Sequence, residues 1–290
     1  MKSYPNCKIN LGLRVLRRRT DGYHDLATIF LPVPLCDELE ILPAPDACTD
    51  VTFTQTGIPI DCPADDNICV KAYRLLRNDF PHIPYVKMHL EKIVPFGAGL
   101  GGGSSDAAFT LKMLNEMFSL GLSREQLKQY ATRLGADCAF FIDNQPAYAT
   151  GIGDVLTPLS INPIGNYQIL LAKPDEAVST REAYSGIRLS VAQPEQYEGA
   201  PSESPLCQAV AQSISNWRDS VVNDFEATVF PLHPAIADLK SLFYRHGALY
   251  ACMSGSGATV LALFPKGRHL PQPLLDELNH RRVFVFNSEL

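Results

Sequence analysis

The sequence predicts an α+β chain of two domains, on three observations. Strand-like and helix-like segments are mixed along its whole length, the pattern restarts after Pro158, and 290 residues suffice for one large or two ordinary domains. The first strand is read at 4–15, where Ile9, Leu11 and Leu13 share one face and Lys8, Asn10 and Gly12 the other. Further strand signals lie at 36–42, 50–55 and 84–93. Asp65 and Asp66 can cap a helix over 67–80. A glycine-rich stretch then leads into a strongly helical run. Next, Ser123 with Gln126 three residues on forms a capping signature before Leu127, Tyr130, Ala131 and Leu134, and Gly135 stops that helix. Beyond Pro158 the reading is a strand at 167–172, helices near 205–216 and 234–246, and a strand at 248–253. A Ser-Gly-Ser-Gly turn follows, then a strand at 258–264, a helix near 272–281 and a last strand at 282–286. The stretch 192–204, rich in Pro, Glu, Ser and Gly, is read as a surface loop. These elements give domains over 1–158 and 159–290.

Hydrophobic residues make up 46% and charged residues 19%, the balance of an ordinary water-soluble globule. A net charge of −6 argues against a nucleic-acid surface, although Arg14, Arg17, Arg18 and Arg19 form a local basic cluster. That cluster is either a solvated strand flank or a rim that attracts a polyanion. Arg14 interrupts the apolar run a signal peptide would need, and no apolar stretch approaches the ~20 residues of a membrane span. The eight cysteines contain no Cys-x-x-Cys pair, and no histidines pair at ligand spacing. A reducing cytoplasm, no membrane or nucleic-acid partner, and a monomer or homodimer are the expectations.

The chemistry is concentrated in Pro95-Phe96-Gly97-Ala98-Gly99-Leu100-Gly101-Gly102-Gly103-Ser104-Ser105, followed by Asp106-Ala107-Ala108. Five glycines in seven residues do not serve stability, since glycine loses the most freedom on ordering. They leave backbone N–H groups free to converge on one ligand at a helix N-terminus, an arrangement suited to phosphate oxygens. Ser104 and Ser105 either cap that helix or offer hydroxyls to a ligand. The stretch is not a Walker A loop, because Ser104 follows the last glycine and no lysine comes until Lys112. Gly97, Gly99 and Gly102 match Gly-x-Gly-x-x-Gly, but a helix, a tight loop and a helix follow where a dinucleotide site needs a strand ending in an acid. A flexible linker does not fit between a patterned strand and an apolar helix.

This loop resembles the ATP loop of the GHMP kinases, which include galactokinase and the homoserine, mevalonate and phosphomevalonate kinases. Three further segments agree, in the family's order. They are Cys7-Lys8-Ile9-Asn10-Leu11-Gly12-Leu13 with Asp21-Gly22-Tyr23-His24; Gly135-Ala136-Asp137; and Met253-Ser254-Gly255-Ser256-Gly257-Ala258. The likeness runs from about residue 4 to about residue 265. The triple glycine is most similar to the branch acting on a cytidyl diphosphate sugar alcohol. The resemblance implies a two-domain GHMP kinase fold: a first domain like ribosomal protein S5 domain 2, a ferredoxin-like second, and the active site between them. It implies ATP with Mg2+ as cofactors and phosphorylation of a substrate hydroxyl, the 2-hydroxyl.

The same resemblance assigns residues. Asp137, which alone reads as a helix cap, becomes the catalytic base. Lys8, which alone reads as a solvated strand residue, becomes its catalytic partner. Asn10 would reach the erythritol end of the substrate. Asp21-Gly22-Tyr23-His24 reads by itself as a turn anchored by Tyr23; the resemblance puts Tyr23 and His24 in a cytidine pocket, with Tyr184 closing the stack and Thr180 reaching substrate. On the nucleotide side it points to Pro95, Phe96, Gly97, Ala98, Gly99, Leu100, Gly101, Gly102, Gly103, Ser104 and Ser105, and to Asn67 and Lys92. Taken alone, Asn67 is a cap-adjacent residue and Lys92 an exposed strand end. Rival readings are a GHMP kinase for mevalonate-type or amino-acid alcohols, which needs no cytosine pocket, and an inactive ligand sensor of the same fold, against which Lys8 and Asp137 argue.

Overall fold

The computed structural model describes residues 1–60, 62–161, 164–187, 197 and 199–290. The chain forms two compact units that interleave in sequence. The first holds Met1–Lys8, Pro34–Phe96 and Gly101–Gln145; the second holds Ile9–Val33, Gly97–Leu100 and Pro146–Leu290. A single cut at 158 therefore does not reproduce these units. The physical reason is pairing: Thr28, Ile29 and Phe30 lie opposite Ala149, Tyr148 and Ala147, which ties the hairpin at 147–158 to the N-terminal strands.

In the first unit a four-stranded sheet runs in the order Lys2–Ser3, Glu38–Pro43, Val86–Lys92, Val51–Gly57. Its pairs are antiparallel except the last, which is parallel. Helices Ile68–Asp79, Gly102–Met117 and Arg124–Leu134 pack on one another in the same unit. Strand Val86–Lys92 buries alternate residues, Val86, Met88, Leu90 and then Lys92. The period of two thus carries a lysine inward at the strand's last position. The capping box read at Ser123 is present: Ser123 Oγ accepts from the Gln126 amide, and Gln126 Oε1 accepts from the Ser123 amide.

In the second unit one sheet is ordered Asn6–Arg18, His24–Cys36, Ala147–Thr150, Val155–Pro158, its first two strands reaching a few residues into the first unit. The other is ordered Tyr250–Met253, Val260–Pro265, Tyr167–Lys173, Phe284–Glu289, antiparallel throughout. With helices Pro234–Arg245 and Gln272–His280, this second sheet follows the split β-α-β-β-α-β order of ferredoxin-like folds. Its core joins Leu170, Ala172, Val260 and Ala262 to Ile236, Leu239, Leu242, Phe243, Leu274 and Leu278.

Several elements differ from their sequence reading. Strand His24–Cys36 was not anticipated, because Pro32 and Pro34 interrupt it and its near-continuous burial hides any alternation. The helix read near 205–216 ends at Val210, and short turns follow at Ile214–Asn216 and Trp217–Ser220. Helices Thr180–Ser185 and Glu226–Leu232 are additional; the latter contains Pro231. Of the loop read at 192–204, residues 192–196 and 198 lie outside the described residues, and Pro201–Glu203 forms a short 3₁₀ turn. Among the described residues no helix is long and apolar enough to cross a membrane.

Candidate active site

The glycine loop links strand Val86–Lys92 to helix Gly102–Met117. Gly97, Gly99 and Gly101 have φ of 61°, 72° and 68°, so the backbone turns three times through the left-handed region. Gly101 is the helix cap, and the Ser105 amide donates to its carbonyl at 2.9 Å. This corrects the capping role considered for Ser104 and Ser105: the helix begins two residues earlier and both serines lie in its first turn. The physical reason is that glycine enters the left-handed cap conformation without a Cβ penalty, as a serine does not. The amides of Gly102, Gly103 and Ser104 thereby lack an intrahelical partner. Ser105 Oγ is buried and has no hydrogen-bond partner. Phe96 is exposed.

Lys8 and Asp137 belong to the same unit. Lys8 is buried on its strand, and its Nζ lies 3.4 Å from Asp137 Oδ2. Asp137 stays one-third exposed, because Gly135 ends the preceding helix in extended backbone and the 3₁₀ turn Ala136–Ala139 lifts the carboxylate outward. The Lys8 stem runs under the loop: a Cβ on Gly101 would stand 3.1 Å from Lys8 Cγ and Cε and 3.2 Å from Phe141. The pair is therefore held directly against the start of helix Gly102–Met117. Burial pushes the thiol of neighbouring Cys138 up to about 11, so it stays neutral.

Asn67 caps helix Ile68–Asp79, its Oδ1 accepting from the Cys69 amide at 2.9 Å. Lys92 is not the exposed strand end that its position suggested. It is 1% exposed, and its ammonium donates to Asp37 at 2.5 Å and to Asp106 at 2.8 Å. The acids Asp37 and Asp106 escaped the sequence reading. The signal for them was the inward phase of Lys92, since a buried ammonium demands nearby carboxylates.

In the second unit the 254–257 turn packs on the loop segment Gly97–Leu100. Ser254 Oγ donates to the Gly99 carbonyl at 3.0 Å and accepts from the Asn10 amide at 3.2 Å. The Thr259 amide donates to the Ala98 carbonyl at 3.3 Å. Asn223 braces the turn, donating from Nδ2 to the carbonyls of Met253 and Gly255. The Asn10 side chain is buried and donates to Thr28 Oγ1 at 2.8 Å. That bond gives Asn10 a bracing role within its own sheet.

Tyr23 is 62% exposed on a turn closed by the Arg19 amide donating to the Tyr23 carbonyl and by the Tyr23 amide donating to Asp21. The His24 ring stacks on Tyr184, with centroids 4.6 Å apart and planes 18° apart, and Tyr184 sets its ring perpendicular to Phe225. Burial, with the charge of Arg18, lowers the His24 pKa below its ordinary value, so the neutral imidazole offers one donor and one acceptor. Thr180 is exposed at the start of helix Thr180–Ser185, which Ser179 caps. His233 contacts Glu182 on that helix at 3.3 Å and Glu176 at 2.8 Å. Tyr23, His24, Thr180 and Tyr184 thus lie in one unit, with Lys8 and Asp137 in the other.

A helix N-terminus bared by glycine, with a lysine–aspartate pair packed against it, stands here in the two-part fold of a small-molecule kinase. The chain belongs to the GHMP kinase family: the model of the GHMP kinases N terminal domain matches residues 67–151, and that of the GHMP kinases C terminal domain matches residues 206–276. Enzymes of this family use ATP. Curated relatives named 4-diphosphocytidyl-2-C-methyl-D-erythritol kinase include one from Bacteroides thetaiotaomicron, 48% identical over 94% of this chain and 95% of its own. Another, from Bacteroides fragilis, is 44% identical over the full length of both. A crystal structure of 4-(cytidine 5'-diphospho)-2C-methyl-D-erythritol kinase superposes with a TM-score of 0.79 at 29% identity, covering 99% of this chain and 98% of that one. The mevalonate kinase of Methanococcus jannaschii, at 14% identity and a TM-score of 0.75 over 99% and 97%, shares the fold.

Proposed function

We propose that this chain transfers the γ-phosphoryl group of ATP to the 2-hydroxyl of 4-diphosphocytidyl-2-C-methyl-D-erythritol, a step of isopentenyl diphosphate biosynthesis by the non-mevalonate pathway. The observation that carries the reading is identity of 44–48% over 94–100% of the chain to curated kinases of that name, joined to a glycine-bared helix mouth with Lys8 and Asp137 against it. Phosphoryl transfer asks little covalent chemistry of a protein; it needs the phosphates held, charge neutralised and the acceptor hydroxyl aligned. The amides of Gly102, Gly103 and Ser104 hold the phosphates in this reading. Asp137 takes the proton of the acceptor hydroxyl, and Lys8, 3.4 Å from its carboxylate, orients that hydroxyl. Asn67 lies toward the adenine as a helix cap.

Mg2+ keeps most of its waters and takes only one or two protein oxygens besides the phosphates. Hydroxyls at the helix mouth can supply such oxygens. The partnerless Ser105 Oγ and neighbouring Ser104 fit that role. Bound there, the ion would neutralise charge on the phosphate oxygens.

The cytosine is read by Tyr23, His24 and Tyr184, with Thr180 beside them. The mutual stack of His24 on Tyr184 supports this, since it fixes both rings and leaves Tyr23 exposed to take a base. Stacking on a base is worth ~1–3 kcal/mol, so Tyr184→Ala is expected to raise KM for the cytidyl substrate about tenfold or more while KM for ATP holds. An unchanged KM for the cytidyl substrate would remove Tyr184 from the pocket. The whole reading is tested by ADP release with 4-diphosphocytidyl-methylerythritol, mevalonate and homoserine as acceptors. Turnover with the first alone is expected; turnover with mevalonate or homoserine instead would overturn it. A cytoplasmic site of action belongs to the same proposal, supported by eight free cysteines, five of them buried.

A further inference from the structure

We propose that Asp37, Lys92 and Asp106 form a buried clamp that fixes the spacing between the two shoulders of the phosphate loop, making them positioning residues for ATP. This deepens the kinase reading and rests on it for the identity of the ligand. The argument begins with the strand. Its alternation turns Lys92 inward at the last position before the loop, and the ammonium ends up 1% exposed. Two carboxylates meet it there. Asp37 uses one oxygen on Lys92 and the other on the backbone leaving the strand, accepting from the Ile93 amide at 2.6 Å and the Val94 amide at 2.7 Å. Asp106 reaches the same ammonium, at 2.8 Å, from the helix on the far side of the loop. One nitrogen therefore joins residues 92–94 to residue 106, across everything that lies between.

The ammonium also passes close beneath the helix mouth. A Cβ on Gly102 would stand 3.0 Å from Lys92 Nζ and 2.9 Å from Val94 Cγ1. Glycine at 102 is thus needed both to bare an amide and to admit the clamp.

Stability alone does not account for such a cluster. Three ionisable groups are almost wholly withdrawn from water, and Asp106 Oδ1 has no partner. Burial, with the charge of Asp37 and against that of Lys92, pushes the Asp106 carboxyl above the usual carboxylate range. Well-packed apolar side chains of similar size often replace buried ion clusters without loss of stability. What they cannot supply is direction, since only hydrogen bonds from one ammonium fix where both shoulders stand.

The test uses the full chain and two readouts: titration with a non-hydrolysable ATP analogue, and the separate KM values for ATP and 4-diphosphocytidyl-methylerythritol. Lys92→Met is expected to weaken the analogue and raise KM for ATP by at least ~10-fold, because misplacing a binding group by about 1 Å is felt at that scale. KM for the cytidyl substrate should stay within about twofold, a split that general loosening of the fold would not produce. Asp106→Asn, whose amide oxygen still accepts from Lys92, should bind the analogue nearly as wild type does, whereas Asp106→Leu should match Lys92→Met. Analogue affinity in Lys92→Met within about twofold of wild type, or equal affinities in Asp106→Asn and Asp106→Leu, would overturn the clamp. If Lys92→Met does not fold, the two Asp106 variants decide. Wild type that binds the analogue but fails to phosphorylate the cytidyl substrate would overturn the substrate reading and leave the clamp to be judged on affinity.

Discussion

Asp137→Asn is expected to lower kcat by at least ~10²-fold, the lower end for a positioned general base and about 3 kcal/mol of barrier. The substitution preserves shape and removes only the capacity to take a proton. Asp137 is suited to the role because it combines two conditions that usually exclude each other. Its carboxylate is one-third exposed and so open to a substrate hydroxyl, yet it lies 3.4 Å from an ammonium that is buried. A surface pair of this length would contribute little, being screened by water. Here the ammonium is pinned by its strand and by Gly101 above its stem, so its field at Asp137 is fixed in direction. Lys8→Ala is expected to lose a comparable factor, with KM for ATP changing less than kcat. Steady-state ADP release under saturating ATP reads both, and near-normal turnover in the two folded variants would exclude them from the chemistry.

The parts of this molecule that were legible in the sequence are those whose signal is local. Strands 86–92 and 167–173 and the helices at 68–79 and 234–245 announce themselves by period and cap, and the glycine loop by composition. Strand His24–Cys36 did not, because two prolines outweighed its apolar run locally, while in the fold it lies between strands Asn6–Arg18 and Ala147–Thr150, pairing with the latter at residues 28–30, ahead of both prolines. The same difficulty hid the interleaving of the two units, since the partners of 28–30 lie more than a hundred residues away. Among candidate site residues, Asp137 and Lys8 were singled out through motif likeness, not through their spacing, which is 129 positions. Asp37 and Asp106 were missed because an acid near a lysine means little until burial is known. Asn10 shows the converse: its strand phase was legible, but its amide is committed to Thr28, a partner that only the fold supplies.

Gly99→Ala is expected to abolish measurable ATP turnover, whereas Gly97→Ala, two residues earlier in the same loop, should cost far less. Both glycines have positive φ, 61° at Gly97 and 72° at Gly99, so alanine at either position carries a left-handed backbone penalty of roughly 1–2 kcal/mol. What differs is the space. A Cβ at Gly97 meets nothing within 4 Å. A Cβ at Gly99 would stand 2.0 Å from the Ser254 carbonyl oxygen, 2.8 Å from its carbon and 3.2 Å from the Gly257 oxygen. These are backbone atoms, held by Asn223 and by the Ser254 hydroxyl, so they cannot swing aside as a flexible side-chain end would. Relief must come from separating loop and turn, which breaks the Ser254–Gly99 and Thr259–Ala98 hydrogen bonds together. In this reading the middle of the phosphate loop takes its shape from a backbone-to-backbone seat, and the triple glycine after it bares the amides. Thermal melting and kcat/KM for ATP, measured on both variants, separate the two effects. Comparable losses at the two positions would mean that left-handed strain, and not the seat on 254–257, explains why glycine stands at 99.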